Sequence, residues 1–146
     1  MIKEKSEAPV IFVAGILERI DCNLKKVLFQ TRWKPKTSPM YSGMLEIPGG
    51  RVNDYENIFD ALQREVREEC GLKIKIIKLI GANSYFIKDI QRIEITFLCK
   101  AINPSEIKLS HEHADYKWLK ITEVNAIKIT DYIKKIIDSS AEDIAE

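Results

Sequence analysis

Three observations predict a mixed α/β fold. Runs rich in β-branched residues, such as VIFVAGILERI (10–20) and QRIEITFLCKAI (91–102), read as strands. Residues 57–70 bring apolar side chains round every fourth position, and 130–140 show a second helical pattern, so two principal helices are expected. The chain of 146 residues, 45% hydrophobic and 31% charged, suits one domain (1–146, with 1–8 and 140–146 frayed) that buries its own core. A net charge of +1 gives no global field to recruit nucleic acid or an anionic membrane. No apolar run approaches the ~20 residues of a membrane-spanning helix. The three cysteines form no CxxC pair, and MIKEKSEAPV has no secretory pattern, so reduced thiols and a cytoplasmic home are expected.

The elements follow in order. The apolar run 10–20 predicts a buried strand, DCN a turn, and KKVLFQTR (25–32) a second strand. WKPKTSPMYSGM (33–44), with its prolines and glycine, predicts a loop, and a short apolar piece, LEI, runs into PGG. From 57 to 70, Ile58, Leu62, Val66 and Cys70 form a helical stripe, and Gly71 is a natural stop. LKIKIIKLIGANSYF (72–86) and QRIEITFLCKAI predict long strands joined near Lys88-Asp89. NPSEIKLSHEHA (103–114) is irregular, DYKWLK predicts a strand, and ITEV a short helical turn. TDYIKKIIDSS (130–140) opens with a Thr-Asp capping signal and turns Tyr132, Ile133, Ile136 and Ile137 to its apolar side.

The chemistry concentrates in REVREECG (64–71). Glu65, Glu68 and Glu69 stand three and four residues apart, so a helix brings them to one face beside the apolar stripe. Crowded, partly desolvated carboxylates repel and raise one another's pKa unless a cation neutralises them. A hard divalent ion with oxygen ligands does so, and Mg²⁺ is the usual choice where phosphates complete the shell. The bland alternative is a solvated acidic patch screened by Arg64 and Arg67.

The flanking residues favour the first reading. From Gly50 come five residues, then Glu56, seven residues, Arg64-Glu65-Val66, one residue, Glu68-Glu69, one residue, and Gly71-Leu72. Every position of this frame resembles the Nudix box, and the preceding LEIPGG (45–50) is similar to the approach to the box in MutT-type members, which hydrolyse nucleoside triphosphates. The resemblance implies a Nudix-type α/β/α sandwich around a mixed β-sheet. It implies Glu65, Glu68 and Glu69 as catalytic metal ligands for Mg²⁺, with Mn²⁺ able to substitute. It adds Gly50 to the metal site, where Gly49 and Gly50 let backbone approach metal and phosphate. Glu56 and Arg64 resemble the salt bridge that ties the loop to the helix, and Gly71 the helix stop.

Outside the box, Glu112 stands six residues before Trp118, where MutT-type proteins often carry a further ligand or base. His111 and His113 flank it; a zinc pair lacks further ligands nearby, so both read as solvated loop histidines. Arg32 resembles the arginine that reaches substrate phosphates, as a guanidinium fork suits them; an exposed strand-end arginine is the alternative. Trp33 and Tyr41 are candidates to stack on a base or cover the core edge. Asp131 is a candidate for reading the base edge, against a plain helix N-cap.

The implied function is Mg²⁺-dependent hydrolysis of a nucleoside diphosphate linked to another moiety, foremost a nucleoside triphosphate giving the monophosphate and pyrophosphate. Hydrolases of ADP-ribose commonly show a proline about sixteen residues past the box, and YFIKDI has none; Tyr85 falls early for the diadenosine polyphosphate pattern. Alternatives are a pyrophosphatase of ADP-ribose, nucleotide sugars or dinucleotides, and a non-catalytic nucleotide-sensing module, although such modules usually lose box glutamates. The partner expected is a small-molecule nucleotide, with no stable nucleic-acid binding and no membrane; a homodimer is a candidate assembly.

Overall fold

The computed structural model describes residues 7–32, 44–126 and 129–139. Its elements are β1 (Val10–Asp21), β2 (Leu24–Arg32), β3 (Leu45–Glu46), β4 (Gly49–Arg51), α1 (Ile58–Cys70), β5 (Ile74–Ile87), β6 (Ile90–Ala101), β7 (His113–Lys120) and α2 (Asp131–Ser139). Short 3-10 turns lie at Pro104–Glu106 and Ile121–Ala126. The order follows the sequence pattern closely. Both hairpins turn on residue pairs with positive φ, Cys22-Asn23 (49° and 65°) and Lys88-Asp89 (50° and 65°). Left-handed pairs match the twist of the flanking strands, which is why two-residue hairpins favour them.

Seven strands form one sheet in the order β3-β2-β1-β6-β5, with β7 on β2 and β4 on β1. The β1–β6 pair is parallel and the other strand pairs antiparallel, so the sheet is mixed. Near its end β1 pairs with β2 from Glu18 to Asp21. Nearer its start it pairs with β4 from Phe12 to Ala14. β4 therefore enters the fork where β1 and β2 part. Gly15 N–H to Pro48 O (2.9 Å) and Val52 N–H to Ile11 O (2.9 Å) seal that entry.

Alternation along the strands builds a core on each face. Val13, Leu17, Leu28, Phe97 and Cys99 pack with Leu62, Val66 and Cys70 of α1. Their neighbours Ile16, Val27, Phe29 and Leu98 pack with Ile133, Ile136 and Ile137 of α2. This is the expected helix–sheet–helix sandwich. Leu62 and Val66 have no exposed surface, and truncating such a leucine costs about 2–5 kcal/mol.

The caps refine the reading. Asn57 Oδ1 accepts from Phe59 N–H at 2.8 Å and starts α1. Gly71, at φ 68°, donates its N–H to Arg67 O and ends it. At α2 the capping oxygen belongs to Thr130, whose Oγ1 accepts from Ile133 N–H at 3.4 Å. Asp131 is instead the first helical residue, exposed, where its charge favours the helix dipole.

Candidate active site

α1 runs beneath β4 with its acidic face toward the Gly49–Gly50 ridge. At the start of this face Arg64 gathers the chain. Its Nε donates to Glu56 Oε2 (2.8 Å) and its Nη2 to Glu56 Oε1 (2.9 Å), a two-pronged pair. Nη2 also reaches Arg51 O (3.0 Å), and Glu56 Oε1 accepts Asn53 N–H (3.0 Å). The β4–α1 loop is thus fastened to the helix two turns on. The guanidinium holds the Glu56 carboxyl down at about 2, and Glu56, with Glu65 adding to it, raises the Arg64 pKa in return. Glu56 and Arg64 form the predicted salt bridge.

The three box carboxylates differ in surroundings. Glu65 is half-buried, and burial raises its pKa against the pull of Arg64 Nη1 at 2.8 Å, with Glu68 and Glu112 adding repulsion. Glu112, in the turn before β7, therefore lies within electrostatic reach of Glu65. Glu68 is exposed and touches Arg64 Nη1 at 3.3 Å. Glu69 is only 8% exposed. Its Oε2 accepts from Gly49 N–H (3.1 Å) and Gln30 Nε2 (3.2 Å). Desolvation pushes its carboxyl well above the ordinary range, opposed by these donors and by His113 nearby, and reinforced by Glu46.

The glycines have a steric reason. A Cβ on Gly50 would strike the Glu65 carboxylate, and one on Gly49 would strike Val13 O. Backbone and carboxylate meet there only because both side chains are missing.

Sequence reasoning missed a buried polar row beneath Glu69. Gln30 on β2 is fully buried and registers with Glu46 on β3. His113 opens β7, opposite Arg32. Its side chain is completely buried, with Nε2 2.6 Å from Glu46 Oε1. The expectation of solvated loop histidines therefore fails for His113, whereas His111 is exposed as expected. The reason is that β7 begins at His113 itself, so the residue enters the sheet. Gln30 carried a usable signal, because it stands two residues after Leu28, on the parity of β2 that faces α1.

Glu65, Glu68, Glu69, Gly50 and Glu112 are thus brought to one region, and Glu56, Arg64 and Gly71 take the expected structural places. Arg32 closes β2. Trp33 and Tyr41 lie outside the described residues. Among the described residues no three acidic, histidine or cysteine side chains already converge into a metal cage. Arg64 holds Glu65 and Glu68, while Glu69 turns toward Gly49 and Gln30. The donor set still fits a hard divalent cation: Glu65 and Glu69 offer desolvated oxygen ligands beside the Gly49–Gly50 backbone, and the box thiol, Cys70, is buried in the core with its pKa pushed up to about 12.

Comparison with known proteins agrees with the geometry. Residues 12–139 match the model of the NUDIX domain. The nucleoside triphosphatase NudI of Escherichia coli strain K12 is 32% identical over 92 residues, 56% of this chain and 64% of that protein, so the match spans less than two thirds of this curated relative. A MutT protein from Methanosarcina mazei Go1 superposes with a TM-score of 0.76 at 23% identity, covering 95% of this chain and 99% of that one. An Ap4A hydrolase of C. elegans in a binary complex gives 0.76 at 20% identity, covering 91% and 96%. The NUDIX domain of Shewanella oneidensis NrtR complexed with ADP ribose gives 0.77 at 14% identity, covering 96% and 91%. At these identities the solved structures establish a shared fold. No helix among the described residues is long and apolar enough to cross a membrane.

Proposed function

This chain belongs to the Nudix family, and from that premise we propose that it is a hydrolase of nucleoside diphosphate derivatives, acting foremost on nucleoside triphosphates in the cytoplasm. The observation that carries the reading is the set of box carboxylates, Glu65 and Glu69 above all, held desolvated against a ridge without side chains. A buried carboxylate that receives neutral donors is unfavourable by itself and favourable once a cation arrives. The relative named as a nucleoside triphosphatase supports the substrate class.

In this reading Glu65, Glu68, Glu69, Glu112 and the Gly50 backbone hold Mg²⁺ or Mn²⁺. When bound, the ion supplies charge stabilisation at the phosphate oxygens and acidifies water. The chain contributes the rest. Gly49 and Gly50 admit the diphosphate close to backbone. Arg32 at the end of β2 meets phosphate oxygens, and Asp131 at the start of α2 meets the base. One carboxylate of the cluster takes the proton of the attacking water. Water adds to phosphorus, the bridging P–O bond breaks, and a nucleoside triphosphate leaves as monophosphate and pyrophosphate.

Purified chain, Mg²⁺ and a panel of canonical and oxidised nucleoside triphosphates, ADP-ribose and a dinucleoside tetraphosphate, with products separated, test the proposal. Fastest turnover of a triphosphate to monophosphate and pyrophosphate is expected. Preference for ADP-ribose or the dinucleotide overturns the substrate choice. No metal-dependent turnover of any of them overturns hydrolysis and favours a sensing module.

A further inference from the structure

The Glu46–His113 pair has a cost that packing alone does not repay. An imidazole with no exposed surface sits on a 2.6 Å hydrogen bond to a carboxylate. Its Nδ1 has no hydrogen-bond partner among the described residues, and neither does Gln30 Oε1. Buried polar groups are expensive unless fully satisfied, and an aliphatic residue would fill such a place without that penalty.

What the pair does is visible in its neighbours. β3, β2 and β7 are adjacent, and Glu46 lies beside Gln30, whose amide donates to Glu69. In the chain, His113 directly follows Glu112. On the other side of Glu112, Ser110 N–H donates to Glu69 O at 2.7 Å and Lys108 N–H to Cys70 O at 2.8 Å, stitching that segment to the end of α1. Ser110 Oγ accepts Glu112 N–H at 3.3 Å, and Ser110 O accepts His113 N–H at 3.3 Å. The turn carrying Glu112 is thus clamped to α1 before it and to β3 after it.

We propose that the buried Glu46–His113 pair is a positioning device that fixes the Glu112 turn against the box carboxylates. It rests on the proposed hydrolase reading in one respect, namely that Glu112 serves the cation and the reaction. The imidazole touches neither substrate nor cation; it acts through the backbone of its neighbour Glu112.

The test is a double-mutant cycle on the full chain with two readouts, Mn²⁺ affinity measured by paramagnetic resonance without nucleotide, and kcat and KM in Mg²⁺. His113→Leu is expected to weaken Mn²⁺ binding and lower kcat about tenfold, the range typical of residues that orient ligands, with KM little changed and the folded state retained. His113→Gln, which keeps a nitrogen near Glu46, should recover most of both. His113→Leu combined with Glu112→Gln should lose no more than Glu112→Gln alone, because the two act through one carboxylate. Glu46→Gln, which keeps the shape, carries the same cycle if His113→Leu does not fold. Losses that multiply in the double variant overturn the proposal, as does wild-type Mn²⁺ affinity in His113→Leu. The metal readout separates this failure from failure of the hydrolase reading, since it needs no turnover.

Discussion

The two ends of α1 treat the same chemical group in opposite ways. At its start, Glu56 lies against the Arg64 guanidinium with two hydrogen bonds and a backbone N–H besides, and its pKa falls to about 2. At its end, Glu69 is buried between Gly49 and Gln30, both neutral donors, and its pKa rises. One carboxylate already has its cation and builds the scaffold. The other is held desolvated, poised to gain from a cation that the folded chain does not itself supply. Glu65 stands between them, touched by Arg64 yet raised by burial. The contrast teaches that the acidic motif is two devices on one helix: a structural clamp and a binding face.

The hardest test of that division is Glu69→Gln. The amide keeps the shape and can still accept from Gly49 N–H, so the fold should survive and the melting temperature of the metal-free protein should stay level or rise. Hydrolysis in Mg²⁺ should fall by roughly 10²–10³ or more, as when a charge-stabilising group is lost. Full activity in the purified variant would end the assignment of Glu69 to the binding face.

Glu112→Gln should come next, cutting kcat far more than it raises KM, the mark of an interaction made chiefly in the transition state. Thermal stability should hardly move, since Glu112 is exposed. His111→Ala, at an equally exposed neighbour, should be neutral in both measurements. An equal loss at His111 would show a general disturbance of the turn.

Arg64→Ala should show the reverse profile at the clamp: several degrees lost in thermal melting, with activity falling because the loop and Glu65 lose their tie. Arg64→Lys should restore only part, as lysine lacks the planar fork. The pH dependence has a definite sign. The Glu56 carboxyl is depressed in the folded state, so its contribution to stability is present above the ordinary carboxylate range and is lost as pH falls toward about 2. Acid unfolding followed by circular dichroism should therefore begin at higher pH in Arg64→Ala than in the wild type.

The smallest effect expected is at Tyr55, beside Glu56. Tyr55 is fully exposed and takes φ 63°, a left-handed conformation that disfavours a side chain. Tyr55→Gly should relieve about 1 kcal/mol of that strain, seen as a slightly higher denaturation midpoint, with the Glu56–Arg64 clamp intact. A lower midpoint would show that the tyrosine side chain itself supports the loop.

The clamp and the helical face were legible in the residues because both lie within one continuous stretch of chain. Three- and four-residue intervals fix which carboxylates share a helix face and Gly71 marks its end, while the resemblance of the frame to the Nudix box implied the Glu56–Arg64 salt bridge across the loop. Period-two and period-four apolar patterns likewise predicted the long strands, both helices and the mixed α/β class, and the resemblance to the Nudix box implied the sandwich. The buried row of Gln30, Glu46 and His113 could not be read this way. Its members lie on strands far apart in sequence, and their meeting depends on strand register, to which local spacing is blind. His113 shows the difference most sharply. As a residue in HEHADYKW it resembles a solvated loop histidine. Once β7 pairs with β2, it becomes a buried partner of Glu46, because only the assembled sheet decides where the chain leaves water. The sequence by itself determined the family, the elements and the acidic face. The tertiary structure decided which carboxylate has its cation and which is left desolvated, since desolvation is a property of what packs around a group and not of its neighbours along the chain.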